Sequence, residues 1–203
     1  MAIDLQPWLD GIDASMVFHP ANAFVISCGT VTLDLGRGKV LLIWNRNLQI
    51  FQLPKGRRNI DEPMLNAALR ETYEETGVRA TPLKLNIATR ATPATVDEGV
   101  DGTTTQKSPQ ITEGHMSTEF VGACLYPDPQ SDTKALKAVF YFVATADSTA
   151  TADSGTQEAY EKLEASWVSI SEIDQKLRFG SEVDVVKKAV ADIRKSGYTI
   201  NSA

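Results

Sequence analysis

From Ala23 the apolar residues fall into a strand rhythm. Phe24-Val25-Ile26-Ser27 and Val31-Thr32-Leu33 are β-branched runs, and a Gly36-Arg37-Gly38 turn leads from them into Val40-Leu41-Leu42-Ile43-Trp44. That order predicts a hairpin. Gln49 to Leu53 is a further short strand, stopped by Pro54. The pattern then changes to a helical period: Leu65, Ala68, Leu69, Thr72 and Thr76 recur on one side, Pro63 suits a first turn, Asp61 and Glu62 complement its positive end, and Gly77 supplies a left-handed stop. Val78 to Ala88 reads as a strand. Strand character returns at Phe120 to Tyr126 and at Ala138 to Thr145, where Val139, Tyr141 and Val143 alternate with Phe140 and Phe142. Glu164 to Val168 is the last strand, with Trp167 expected in the core and Ser171 expected to cap a short turn. An amphipathic helix from Glu182 to Lys195 closes the chain, with Val183, Val186, Ala189, Val190 and Ile193 on its buried side. Strands interleaved with two main helices imply an α/β sandwich in a single domain.

The remaining segments carry weaker patterns. Residues 1–20 read as a short helix or arm packed against the domain, with Trp8 and Phe18 as anchors. Residues 91–118, rich in Thr, Gly, Pro and Asp, show no periodicity and read as a flexible insertion in a domain spanning 21–196, with 197–203 as a tail.

Composition narrows the function classes. The 203 residues are 42% hydrophobic, enough for one core, and no apolar run is long enough to cross a membrane. The N-terminus lacks a signal-peptide pattern, so a cytoplasmic or nuclear protein, monomer or homodimer, is expected. Cys28 and Cys124 stand alone and read as apolar residues. The net charge of −6 argues against stable binding along nucleic acid or on an anionic membrane. Its distribution says more. Ten of the twenty Lys and Arg lie between Arg37 and Arg90, against five acids.

Those acids are patterned. From Gly56 the sequence runs GRRNIDEPMLNAALRETYEETGV: Gly56, five residues, Glu62, seven residues, Arg70-Glu71, two residues, Glu74-Glu75, one residue, then Gly77-Val78. On a helix, Glu71, Glu74 and Glu75 project toward one side. Crowded carboxylates of this kind suit Mg²⁺ or Mn²⁺, hard ions that keep several waters and reach substrate phosphates. A charged, solvated helix face would need neither glycine nor this spacing, which arises by chance on the order of once in 10⁸ positions.

This skeleton resembles the catalytic box of the Nudix hydrolases, with Thr72 the one departure from an aliphatic position. The resemblance implies a Nudix-type α/β/α sandwich with a mixed central sheet, and metal-dependent cleavage of a phosphoanhydride. It implies that Glu71, Glu74 and Glu75, with a backbone carbonyl near Lys55-Gly56, share the metal-ligand and base roles, and that Arg70 and Glu62 hold the loop and orient the carboxylates. Which carboxylate acts as base varies within the family. The lead-in Leu53-Pro54-Lys55-Gly56 resembles that of diadenosine and diphosphoinositol polyphosphate hydrolases, so a small, highly phosphorylated substrate is expected. Arg46, Lys55, Arg57, Arg58, Lys134 and Lys137 are the candidate phosphate contacts. ADP-ribose, oxidised nucleotides and capped RNA are competing substrates, and a non-catalytic phospho-ligand sensor is the competing class. Glu158, Glu161 and Glu164 could lend a further acidic group; His19 and His115 have no expected role.

Overall fold

The computed structural model describes residues 5–92, 111–112, 114–129, 131–132, 134–158 and 160–201. One mixed sheet organises them. Its spine is β10 (Leu163–Ser169), β2 (Lys39–Asn45), β1 (Phe24–Asp34), β9 (Leu136–Thr145) and β5 (Thr81–Pro82), with β3 (Ile50–Gln52) on β2, β4 (Lys55–Arg57) on β1 and β8 (Gly122–Pro127) on β9. Among the described strand pairs of this sheet, only the central one, β1 with β9, is parallel. Helix α2 (Met64–Thr76) covers one face and α4 (Gly180–Lys195) the other.

The alternation in β9 divides between these layers. Val139, Tyr141 and Val143 join the large core under α4, whereas Phe140 and Phe142 pack with α2. Strand β1 is one uninterrupted run of eleven residues rather than two strands. Within that run Gly29 leaves room for the neighbouring segment: a Cβ there would strike the Pro54 carbonyl and crowd Tyr141.

Several expectations are corrected. Val78 to Ala88 is not one strand: β5 ends at Pro82, which has no N–H to continue the ladder, and Leu85–Asn86 (β6) leaves the sheet to pair with Met116–Ser117 (β7). Most of the expected flexible insertion, 93–110 and 113, lies outside the described residues. Its described part is paired at Met116–Ser117, and Thr112 bridges Thr89. Ser169, not Ser171, caps the short turn, accepting the Ser171 N–H. Trp167 is half-buried while its neighbour Val168 is buried. Trp8 and Phe18 are not anchors: they are 63% and 86% exposed, and α1 (Gln6–Ser15) buries none of its residues. A short fourth helix, α3 (Ile173–Lys176), precedes α4. No helix among the described residues is long and apolar enough to cross a membrane.

Candidate active site

Three backbone features assemble the box. Strand β4 runs beside β1, with Gly29 opposite Lys55, Cys28 opposite Gly56 and Ser27 opposite Arg57. The chain then turns through a loop, with Asp61 at a positive φ of 60°, into α2. The helix stops at Gly77, whose φ of 71° is left-handed and whose N–H returns to the Tyr73 carbonyl. A side chain at Gly77 would also strike the Asp153 backbone.

Arg70 is the hub of the loop. Its Nε and Nη2 donate to the two Glu62 oxygens at 2.8 and 2.9 Å, Nη1 donates to Glu71 and to Glu74, both at 2.7 Å, and Nη2 also reaches the Arg57 carbonyl at 3.0 Å. Glu62 in turn accepts the Asn59 N–H, and Arg58 donates to the Glu62 carbonyl. A planar guanidinium supplies this fork; an ammonium could not. The paired Arg70 holds Glu62 below the usual carboxylate range and is itself raised, chiefly by Glu62.

The carboxylates differ in environment. Glu75 is 6% exposed and accepts the Lys55 N–H at 2.7 Å. Burial first, then Glu71 and Glu161, push its pKa up to about 8 against the pull of Lys55. Burial also raises Glu71, even though Arg70 pulls the other way. The Glu71 carboxylate lies against Gly56, where any Cβ would collide with it. Glu161 from the loop before β10 acts electrostatically on both Glu71 and Glu75. Glu164 is instead paired with Arg46.

Do these residues fit a divalent cation? Among the described residues no three carboxylates converge on one point as they stand. Arg70 takes Glu71 and Glu74 while the Lys55 amide takes Glu75. The donor set nevertheless fits: hard oxygens only, three carboxylates on one side of one helix, and a buried carboxylate that burial alone disfavours as an anion. Glu71, Glu74 and Glu75 would hold the ion.

The predicted cations separate into groups. Lys137 is half-buried, and burial, Lys55 and Arg57 together lower its pKa, with Asp128 opposing them. Lys55, Arg57 and Lys137 are therefore within electrostatic reach of one another, although Lys137 lies about eighty residues beyond Arg57 in the chain. Arg57 Nη2 lies 3.4 Å from the buried Asp128. Arg58 braces the loop through Glu62, and Arg46 pairs with Glu164. Lys134 is exposed in the turn before β9, at a positive φ of 50°.

Thr72, the departure from the box, sits in a hydroxyl chain. Its Oγ1 lies 2.7 Å from Thr30 Oγ1, which is 2.7 Å from Thr32 Oγ1, and it donates to the Ala68 carbonyl. The polar substitution on α2 is matched by two threonines on β1. Sequence reading missed Asp128, Tyr141 and Glu182. Buried acids and a buried tyrosine leave no local pattern, because their partners lie far along the chain.

Comparison with known proteins agrees with this geometry. Residues 24–188 match the NUDIX domain. A search of curated proteins gave no match. Among solved structures, the chain is similar to a NUDIX hydrolase from Nitrosomonas europaea, with TM-score 0.53 and 17% identity over 83% of this chain and 89% of that one. It is also similar to a NUDIX-family hydrolase from Clostridium perfringens, with TM-score 0.51 and 17% identity over 85% and 98%. An Ap4A hydrolase binary complex from C. elegans follows, with TM-score 0.50 and 15% identity over 84% and 98%. The chain belongs to the Nudix family. It is a pyrophosphohydrolase with the Nudix fold, in a family whose members generally use divalent metals such as Mg²⁺ or Mn²⁺.

Proposed function

We propose that this chain hydrolyses a phosphoanhydride in a small, densely phosphorylated substrate, of the diphosphoinositol polyphosphate or dinucleoside polyphosphate kind, with Mg²⁺ or Mn²⁺ held by Glu71, Glu74 and Glu75. The observation that carries the substrate class is the gathering of Lys55, Arg57 and Lys137 beside the box. Half-burying a lysine among like charges is unfavourable by itself, and a phosphate chain would relieve it. A bound divalent ion would neutralise phosphate charge and acidify an attacking water. The chain's own residues do the rest. Arg70 aligns Glu71 and Glu74 and ties them to the loop, the Lys55 amide fixes Glu75, and Lys55, Arg57 and Lys137 receive the phosphates.

The test compares a diphosphoinositol polyphosphate and diadenosine polyphosphates with ADP-ribose. Charge-assisted contacts contribute about 1.5–3 kcal/mol each, so Lys137→Glu combined with Arg57→Glu should raise KM at least about tenfold for the polyphosphates. ADP-ribose, with fewer phosphates, should respond far less. An equal effect on all substrates would remove the substrate assignment and leave the box untouched.

A further inference from the structure

The segment Leu53-Pro54-Lys55, which leads into the box, is held by two buried carboxylates from different helices. On one side Glu75 of α2 accepts the Lys55 N–H at 2.7 Å. On the other, Glu182 Oε2, from the first turn of α4, accepts the Leu53 N–H at 3.1 Å. Glu182 is 4% exposed, and its second oxygen accepts the hydroxyl of Tyr141, which is 1% exposed, at 3.0 Å. Between the two anchored amides stands Pro54, which has no N–H and a fixed φ, so the two ends cannot shift independently. Strand β1 closes the third side: the Thr30 N–H approaches the Pro54 carbonyl at 3.4 Å, and a Cβ on Gly29 would strike that same carbonyl.

A carboxylate buried this deeply beneath a core of valines, leucines and isoleucines is costly unless its hydrogen bonds are made. Burial raises the Glu182 pKa, and Lys55, Leu53 and Tyr141 oppose that rise. The N-terminus of α4 also favours negative charge there. The residue sits outside the box, about a hundred residues beyond Glu75, and touches none of the three candidate metal ligands directly in the hydrogen bonds it makes. Its hydrogen bond toward the box is made to the strand, at the Leu53 amide.

We propose that Glu182 is a positioning residue for hydrolysis: by pinning the Leu53 amide through the rigid Leu53-Pro54-Lys55 step, it sets where the Lys55 amide meets Glu75 and where the Gly56 backbone meets Glu71. This couples the C-terminal helix to the catalytic helix across the sheet. The proposal rests on the hydrolase reading above. A displacement of about 1 Å at a reacting group costs on the order of 10²-fold in rate, so a small slip of this strand would be felt in kcat.

The experiment uses the full chain carrying Glu182→Leu, Glu182→Gln or Glu182→Asp. Amide hydrogen exchange at Leu53 and Lys55, followed by NMR without metal, is measured beside kcat, KM and Mn²⁺ binding by electron paramagnetic resonance. In Glu182→Leu both amides should exchange faster while the amides of α2 keep their protection. At the same time kcat should fall on the order of 10²-fold with KM little changed, and Mn²⁺ should bind more weakly. Glu182→Gln keeps an acceptor for Leu53 and should restore all of these. If only the Leu53 amide responds, with Lys55 exchange, Mn²⁺ binding and kcat unchanged, Glu182 is a stability residue and the proposal fails. Should Glu182→Leu not fold, Glu182→Asp, one methylene too short to reach both partners, gives the same decision. An inactive wild type would refute the hydrolase reading, whereas the exchange data would still decide the clamp.

Discussion

The two faces of the sheet are buried by different means. Under α4 the core is large and mostly aliphatic: Val31, Leu33, Val40, Leu42, Val139, Val186 and Ile193 are among its buried members, and the Glu182 carboxylate, bonded to Tyr141 and Leu53, is its buried polar exception. Under α2 the core is small, built on Cys28, Ala67, Ala68 and Phe142, and it is crossed by the hydroxyl chain Thr32–Thr30–Thr72. Aliphatic contacts are non-directional and tolerate small slips; hydrogen bonds between hydroxyls do not. Helix α2 therefore rests on a face where hydroxyl bonds fix its register, and the C-terminal helix on the face that supplies most of the buried apolar area. Most of the buried apolar area thus lies under α4, where the directional bonds are confined to Glu182, whereas under α2 they run through the core itself.

The largest expected effect tests the aliphatic face. Ile193 is fully buried, so Ile193→Ala should destabilise the fold by about 2–5 kcal/mol in denaturant unfolding while kcat, measured well below the transition, stays near wild type. An equal loss of kcat would show that the faces are not separable. Next comes Thr72→Val, which keeps shape and removes the hydroxyl. It should cost about 1–2 kcal/mol, and here kcat should fall while KM stays within about twofold. Removing the partner as well, in Thr30→Val with Thr72→Val, should cost less than the two single changes added together, because the Thr30–Thr72 bond that each single change breaks is then lost only once.

A smaller effect lies at the rim, away from both cores. Asp34 accepts the Ser148 N–H and hydroxyl and two Arg37 donors, and these bonds outweigh its burial to hold its carboxyl below the usual range. Because the folded-state pKa is depressed, the stabilisation is present above the ordinary carboxylate value of about 3.9 and is lost as pH falls through the folded value. Asp34→Asn should thus cost on the order of 1 kcal/mol at neutral pH, and the gap from wild type should close in acid. A gap unchanged between pH 7 and pH 3 would assign the effect to packing instead.

What the sequence disclosed follows from how local each feature is. The box is contiguous, so its loop, helix and left-handed stop at Gly77 could be read directly, as could the period-two alternation of β9. Lys137 was legible only on the condition that its strand end reach the site. Nothing local marked Asp128, Tyr141 or Glu182, whose partners Arg57, Glu182 and Leu53 lie 41 to 129 positions away. Thr72 looked like a defect in the box until Thr30 was seen across from it. Trp8 misled for the opposite reason: a large apolar side chain in a segment of mixed pattern shows what could be buried, not that anything lies beneath it.

The central claim is that the Glu71, Glu74 and Glu75 cluster drives metal-dependent pyrophosphate cleavage. The most direct measurement is phosphate and nucleotide release with Mg²⁺ and with Mn²⁺ across diphosphoinositol polyphosphate, diadenosine polyphosphates, ADP-ribose, capped RNA and oxidised dGTP, for wild type and Glu75→Gln. Turnover should be metal-dependent, greatest on the polyphosphates, and should fall to background in a folded Glu75→Gln protein. Undiminished turnover in that variant, or turnover indifferent to divalent metal, would contradict the claim.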